Sequence, residues 1–391
     1  HLTKPSAHIA WDELKLTVSP KAAPFPAIGG RRIAGVSAFG FSGTNAHIIV
    51  EAPPEASPRA PSTRAWALPI SAPDAGRLAQ LAAGVAAAIT PQTSPADLAR
   101  TLAVGRAHLI ERAVVRADSA ASAKAGFEAV AAGLDAPGVV RARTEVRDPP
   151  RIAFLFTGQG SQYSGMGAAL HAAAPAFRDA LDECDALLQP LLGRSIKAVM
   201  FDAAQAEDLN QTGLAQPALF AFEYALSAFW RSLGVEPVAA MGHSVGEYVA
   251  ACVSGAMSLE DAIILIAARA RLMQSLPAGG AMAAVFAPEA RVADMLAQFE
   301  GELSLAAING PAQLVVSGEA EAVKRFCAEA EAGGVKTRIL HVSHAFHSPL
   351  MDPILDAFQK EAGKVTVSQP AMQLISNLTG RAASAAEIGA P

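Results

Sequence analysis

The sequence predicts an α/β protein: a mostly parallel sheet carrying an inserted, smaller unit, with a second small α/β unit ahead of both. Three observations lead there. Two apolar runs of strand length, Arg151–Phe156 and Val238–Met241, each run into a Gly-rich turn and then helical periodicity, the alternation that makes parallel strands. The stretch from Ala281 to Val342 reads strand, helix, strand, strand, helix, strand. The chain has 391 residues, 51% hydrophobic and only 17% charged, which suits two or three domains with large cores and excludes a disordered chain.

Taken in order, His1–Glu51 holds two short strands, Ile33–Ser37 and His47–Glu51, joined by a Gly-rich turn. So few apolar elements cannot close a core, so this piece is expected to pack on something else. Ala52–Pro61 is a proline-rich, extended linker. From Ala65 to about Asp148 the pattern gives a strand at Trp66–Ser71, helices at Ala75–Ile89 and Ala96–Val104, a strand at Arg112–Ala117 and a helix at Ala120–Gly133. Ser94-Pro95-Ala-Asp97 is the start signal of the second helix. Asp148-Pro149-Pro150 closes this small α/β unit. The strand Arg151–Phe156 follows, then helices at Ala176–Leu191 and Pro217–Ser232, the strand Val238–Met241 and a helix at Glu247–Ala256. The insertion places strands at Met282–Phe286, Leu303–Ile308, Gln313–Ser317 and Lys336–His341, with helices at Pro288–Phe299 and Ala320–Ala332. That βαββαβ order is ferredoxin-like, and the larger sheet resumes at Gln373–Ile375.

Composition narrows the function. A net charge of −5 argues against a general nucleic-acid binder. Cys184, Cys252 and Cys327 lie too far apart for a disulfide framework or a zinc site, so a cytoplasmic location is expected. The best membrane candidate, Gly213–Trp230, carries Gln216, Pro217 and Glu223, so no membrane span is expected. The chain begins with His1 rather than Met and has no signal-peptide pattern, which reads as a fragment or a processed product.

Gly242-His-Ser-Val-Gly246, between an apolar strand and a helix, matches a nucleophile elbow, the strand–turn–helix device of α/β-hydrolase-like folds. Side chains at Gly242 and Gly246 would clash with the adjoining strand and helix. Ser244 is then presented beside the positive end of the helix, with the N–H of Val245 aimed where an oxyanion would form. A serine hydroxyl needs a base. Three of the nine histidines cluster in His341-Val-Ser-His-Ala-Phe-His347-Ser-Pro. His243 is expected to point away from the hydroxyl into the fold, as a packed histidine hydrogen-bonded to a neighbour, and His8, His47, His108 and His171 to be surface or structural. His344 and His347 are three apart with no carboxylate at helical spacing, so no metal is expected. Phe156-Thr-Gly-Gln-Gly-Ser-Gln162 lacks dinucleotide and Walker spacing, but its backbone N–H groups can complete an oxyanion hole.

Gly158-Gln-Gly-Ser-Gln162, Gly242-His-Ser-Val-Gly-Glu247, Arg269-Ala-Arg-Leu-Met-Gln274, Gly280-Ala-Met282 and His344-Ala-Phe-His347 come in the order and spacing of malonyl-CoA:acyl carrier protein acyltransferases. Nearly the whole chain resembles the acyltransferase region of a modular type I polyketide synthase. Residues 1–55 resemble a ketosynthase tail, through Pro5-Ser-Ala-His-Ile-Ala-Trp-Asp12 and Gly40-Phe-Ser-Gly-Thr-Asn-Ala-His47. Residues 56–148 then correspond to the ketosynthase–acyltransferase linker domain and 149–391 to the acyltransferase, its small subdomain at about 280–343.

The resemblance implies an acyl ester on Ser244, His347 as general base, an oxyanion held by the N–H groups of Gln159 and Val245, and Arg269 on the free carboxylate of a malonyl group. Arg271 is the rival cation and is expected to be exposed. It also implies malonyl-CoA as donor, the phosphopantetheine thiol of an acyl carrier protein as acceptor, the other synthase domains as neighbours and no bound cofactor. The ketosynthase tail has neither the active-site Cys nor the His pair, and Phe41 aligns with a gate of that missing site. Pro391 falls before the last strand and helix expected of the family, where the amide that orients the histidine would lie. In the family His-Ala-Phe-His goes with malonyl and Tyr-Ala-Ser-His with methylmalonyl. His344 and Phe346 are therefore expected at the acyl pocket, the phenyl ring filling the space of an α-methyl group, with Phe346 as plain core the competing reading. Two other functions stay open: a serine thioesterase or hydrolase, which has no use for Arg269, and an inactive docking fragment of the synthase.

Overall fold

The computed structural model describes residues 4–53, 64–144 and 150–388, save Lys15, Thr17, Pro20, Ala278, His341 and Ser343. Most of the linker expected at 52–61, the Asp148-Pro149 closure, the last residue of the strand expected to reach His341 and the chain end at Pro391 lie outside the described residues. The chain divides into two compact units, His1–Arg147 and Asp148–Pro391.

In the first unit, β1 (Ile33–Phe39) and β2 (Asn45–Glu51) form an antiparallel hairpin, each strand two residues longer than expected. Gly43, at φ +89°, lets the turn close. Val36, Ile48 and Ile49 stay exposed on it. The rest of the unit runs β3 (Trp66–Ala72), α1 (Ala75–Ala88), α2 (Pro95–Val104), β4 (Glu111–Ala117), α3 (Ala120–Ala132) and β5 (Val139–Arg143). Its sheet, β3-β4-β5, is antiparallel throughout. Leu68, Ile70, Leu78, Val115 and Phe127 form its core. The Ser94 side chain caps α2 by accepting the N–H of Asp97, with Pro95 in the first turn, as the start signal predicts.

The second unit continues with β6 (Ile152–Phe156), α4 (Ala168–Ala173), α5 (Pro175–Leu192), α6 (Ile196–Phe201), α7 (Thr212–Ser232), β7 (Pro237–Gly242), α8 (Gly246–Val253) and α9 (Leu259–Gln274). The insertion is β8 (Gly280–Phe286), α10 (Glu289–Leu296), β9 (Leu303–Gly310), β10 (Gln313–Glu319), α11 (Ala320–Ala332) and β11 (Lys336–Leu340). After it come α12 (Asp352–Ala362), β12 (Gln373–Ile375) and α13 (Ala385–Ile388). The larger sheet, β12-β7-β6, is parallel, so its chain connections must be the crossing helices. The smaller sheet is antiparallel in the order β11-β8-β10-β9, the ferredoxin-like arrangement.

Phe177, Leu181, Leu188, Phe220, Val249 and Ile266 fill the core that α5, α7, α8 and α9 build beside the parallel sheet. α7 begins at Thr212, five residues before the start expected at Pro217. Proline removes one N–H from the helix, but every residue from Ala215 to Ala221 is buried, so α7 is packed on all sides there and packing outweighs a single lost bond.

Candidate active site

β7 and α8 are joined by a turn that only glycine can close. A Cβ on Gly242 would lie 2.0 Å from the backbone of Gly246, and one on Gly246 would lie 2.6 and 2.7 Å from the carbonyl oxygens of Thr157 and Phe156. The end of β6, the turn and the start of α8 are therefore in backbone contact. The His243 N–H donates to the Phe156 carbonyl at 2.9 Å, which fixes the turn to β6. Asn377, just past β12, donates its side-chain amide to the Gly242 carbonyl and its backbone N–H to Glu247 at 2.9 Å.

Ser244 sits at the tip with φ +51°, and His347 has φ +58°. They are the two non-glycine residues in the left-handed region among the described residues, a conformation that persists only where packing enforces it. Their side chains meet: Ser244 Oγ lies 2.9 Å from His347 Nε2. Val245, buried, caps the amino end of α8.

Arg269 reaches the same point from α9. One guanidinium nitrogen donates to Ser244 Oγ at 3.2 Å and another to Gln216 Oε1 at 2.6 Å, and the cation lies 5.7 Å from the Tyr248 ring centre. The side chain is buried, and among the described residues no carboxylate forms an ion pair with it. Burial pushes the guanidinium below its ordinary value, opposed by the adjacent Tyr248. Burial also lowers His347, and the positive charge of Arg269 and the nearby His243 add to that, so the imidazole is neutral at neutral pH. The Ser244 hydroxyl then donates to Nε2. Arg271 is exposed.

Gln159 lies in the turn after β6. Its side chain accepts from Gln216 at 3.2 Å and donates to Thr212 at 3.3 Å, both on α7. One residue before that turn's first glycine, Thr157 donates its N–H and its hydroxyl to one oxygen of the buried Glu223, also on α7, at 2.7 and 2.6 Å. Burial pushes the Glu223 carboxyl up to about 7, against the two Thr157 donors that pull it down. Its second oxygen has no partner among the described residues.

His344 is buried beside the site, one ring nitrogen 3.2 Å from the Leu276 carbonyl and the other 3.5 Å from the Thr212 hydroxyl. Phe346 is buried with Met273, Met282, Val315, Met351 and Ile354, its ring 6.0 Å from that of His344. The structure thus brings Ser244, His347, Arg269, Gln159 and Val245 together, with His344 reaching Thr212 and Phe346 packed against Met273 of α9.

One expectation is corrected. His243 does hydrogen-bond a neighbour, its Nε2 3.0 Å from Asn309 of the smaller subdomain, but it does not pack into the fold: it is exposed, and its Nδ1 lies 2.6 Å from where a Gly158 Cβ would be. Its ring lies over the Gly158 turn, in space that a side chain there would fill. Sequence reasoning missed Gln216, Glu223, Thr157, Tyr248 and Asn309. The first two carried a signal, as polar residues seven apart within the apolar stretch 213–230.

A parallel sheet with a serine elbow and a histidine within hydrogen-bond reach defines the class of α/β proteins with a serine nucleophile elbow. The acyl transferase domain family matches residues 153–390, and the ketoacyl-synthetase C-terminal extension matches residues 5–115. The mycoketide-CoA synthase of Mycobacterium tuberculosis is 42% identical over 392 residues, covering 98% of this chain and 9% of that protein. The acyltransferase domain from module 8 of the salinomycin polyketide synthase superposes with a TM-score of 0.75 at 32% identity, over 83% of this chain and 77% of that one. A malonyl-transacylase of a type II polyketide synthase, solved in complex with its acyl carrier protein, gives 0.56 at 30% identity, over 61% of this chain and 79% of that one. The chain spans 6% to 18% of the length of the curated relatives it matches. It belongs to the acyl transferase domain family of polyketide synthases, with a ketosynthase C-terminal extension ahead of that domain.

Proposed function

We propose that this chain moves a malonyl unit from malonyl-CoA to the phosphopantetheine thiol of an acyl carrier protein, by way of an ester on Ser244. His347 Nε2 takes the Ser244 proton as Oγ attacks the thioester carbonyl. The N–H groups of Gln159 and Val245 receive the oxyanion, and CoA leaves as its thiol with the proton from His347. In the second half His347 takes the pantetheine thiol's proton, the thiolate attacks the ester, and Ser244 regains its hydrogen as the malonyl thioester departs.

The observation that carries the reading is Arg269: a buried cation, without a carboxylate partner among the described residues, 3.2 Å from the hydroxyl that would carry the acyl group. A guanidinium in that position suits a malonyl carboxylate through two parallel hydrogen bonds. A plain hydrolase has no use for it. The malonyl-transacylase and carrier-protein complex among the relatives supports donor and acceptor alike.

The test is intact mass after brief incubation with malonyl-CoA or acetyl-CoA. The malonyl adduct is expected on Ser244 and absent from Ser244→Ala. Arg269→Ala should lower malonyl loading on the order of 10²–10³-fold, the cost of removing one partner of a buried charge pair, and raise acetyl loading relative to malonyl. An unchanged malonyl-to-acetyl ratio would refute the role of Arg269. Acyl groups lost to water faster than to an added carrier-protein thiol would favour the hydrolase.

A further inference from the structure

α7 grips the turn after β6 in two places. Gln216 and Thr212 hold the side chain of Gln159. Eleven residues along from Thr212, and so on the same helix face, Glu223 holds Thr157. A single carboxylate oxygen accepts both Thr157 bonds. The Thr157 hydroxyl is in turn 2.7 Å from that of Ser161, which lies 3.1 Å from the Gly158 carbonyl. Gly160 donates its N–H to Gln162 at 2.8 Å. The turn that carries the Gln159 N–H is therefore anchored at its first residue and cross-braced at its fifth. Glu223 borders an apolar groove of about 480 Å³ lined by Phe154, Leu219, Phe222, Leu226 and Trp230. A polar group in that wall needs a reason, and among the described residues the only donors it meets are those of Thr157.

We infer that Glu223 is a positioning residue for acylation: through Thr157 it sets the turn so that the Gln159 N–H faces the oxyanion. This rests on the reading of that turn as half of the oxyanion hole. It does not rest on malonyl as the substrate. The probe is p-nitrophenyl acetate, which acylates a serine through the same oxyanion. Ser244 Oγ takes the acetyl group, its proton passes to His347, and p-nitrophenolate leaves.

Three variants are compared with the native chain by the rate of the nitrophenolate burst. Glu223→Met keeps the bulk and loses the acceptor. Glu223→Gln keeps a carbonyl oxygen that can accept both bonds. Thr157→Val, at an exposed position that cannot collapse the core, removes one of the two donors. The burst rate is expected to fall about 10- to 100-fold in Glu223→Met with KM within about twofold, somewhat less than the loss of a whole oxyanion donor. Glu223→Gln should recover to within about threefold of native, and Thr157→Val should lose about 3- to 10-fold. Combined with Glu223→Met, Thr157→Val should cost almost nothing more. A native burst rate in Glu223→Met, a Gln variant as slow as Met, or losses that multiply in the double variant would each overturn the inference. Should Glu223→Met fail to fold, a native burst rate in Thr157→Val does the same. Malonyl-CoA run in parallel separates the two readings: a chain that reacts with the ester and not with malonyl-CoA loses the proposed substrate while the Glu223 comparison stands.

Discussion

At the scale of single residues, the proposed mechanism makes His347 the group that decides when the chain can react. Only its neutral form can take the Ser244 proton. Burial, the charge of Arg269 and the nearby His243 all push it below the ordinary histidine value of about 6.5. The sign follows directly: lowering the pH protonates His347 and stops acylation, and because its value is depressed, this happens at lower pH than for a free histidine. kcat/KM for acyl transfer should fall as the pH drops, with the midpoint of that acid limb below the free-histidine value of about 6.5. Removing the Arg269 charge should move that acid limb upward. A limb centred above 6.5 in the native chain contradicts this account. His347→Ala should cost several orders of magnitude in rate. His344→Ala should cost far less, because the two ring nitrogens of His344 face Thr212 and the Leu276 carbonyl rather than Ser244. If His344→Ala were the more damaging change, the base would be the wrong histidine.

At the scale of elements, the elbow is where sequence and backbone constrain each other most tightly. Gly246→Ala would press a methyl group against two carbonyl oxygens of the neighbouring strand end, and backbone cannot yield as a side chain can. Overpacking of this kind costs roughly 1–3 kcal/mol. At about 2–4 °C per kcal/mol for a domain of this size, Tm should drop roughly 2–12 °C, with Ser244 acylation falling at least tenfold. Gly234→Ala is the control, since a Cβ there meets nothing within 4 Å and only its φ of +80° opposes it. Loss of acylation in both variants alike would show that the elbow is not specially constrained. The elbow was legible because strand, glycine and helix signals stand side by side. β5 was not, because its Val-Val-Arg-Ala-Arg run is short and carries two charges. Nor was the true start of α7, where a proline that looks like a first-turn residue is instead paid for by packing. The antiparallel order of β3, β4 and β5 is likewise a property of pairing, which periodicity within each strand does not encode.

At the scale of the whole second unit, the site is assembled from segments far apart in the chain: the turn after β6, the face of α7, the elbow, Arg269 on α9 and the loop after β11. The elbow motif marked Ser244 and the family resemblance marked His347 and Arg269, but the polar row of Thr212, Gln216 and Glu223 becomes meaningful only when α7 is laid against the turn. Phe346 belongs to this scale because its cluster joins Met273 of α9 to Met282 and Val315 of the smaller sheet. The ring therefore serves the packing between subdomains, as the core reading has it, and also directly precedes the proposed base in the chain. Both roles make one prediction together. Phe346→Ser with His344→Tyr should open space beside His347 and erode a preference for malonyl-CoA over methylmalonyl-CoA without reversing it, because one methyl group in an apolar pocket is worth only roughly 1–3 kcal/mol. The same change deletes a phenyl ring from a packed cluster, which costs about 3–5 kcal/mol in comparable cores, so Tm should fall as well. The ratio of kcat/KM for the two thioesters separates the roles, since loss of folded protein lowers both rates equally and leaves the ratio alone. A native chain that loads methylmalonyl-CoA as fast as malonyl-CoA, or a double variant that is less stable but equally selective, would reduce Phe346 to a packing residue.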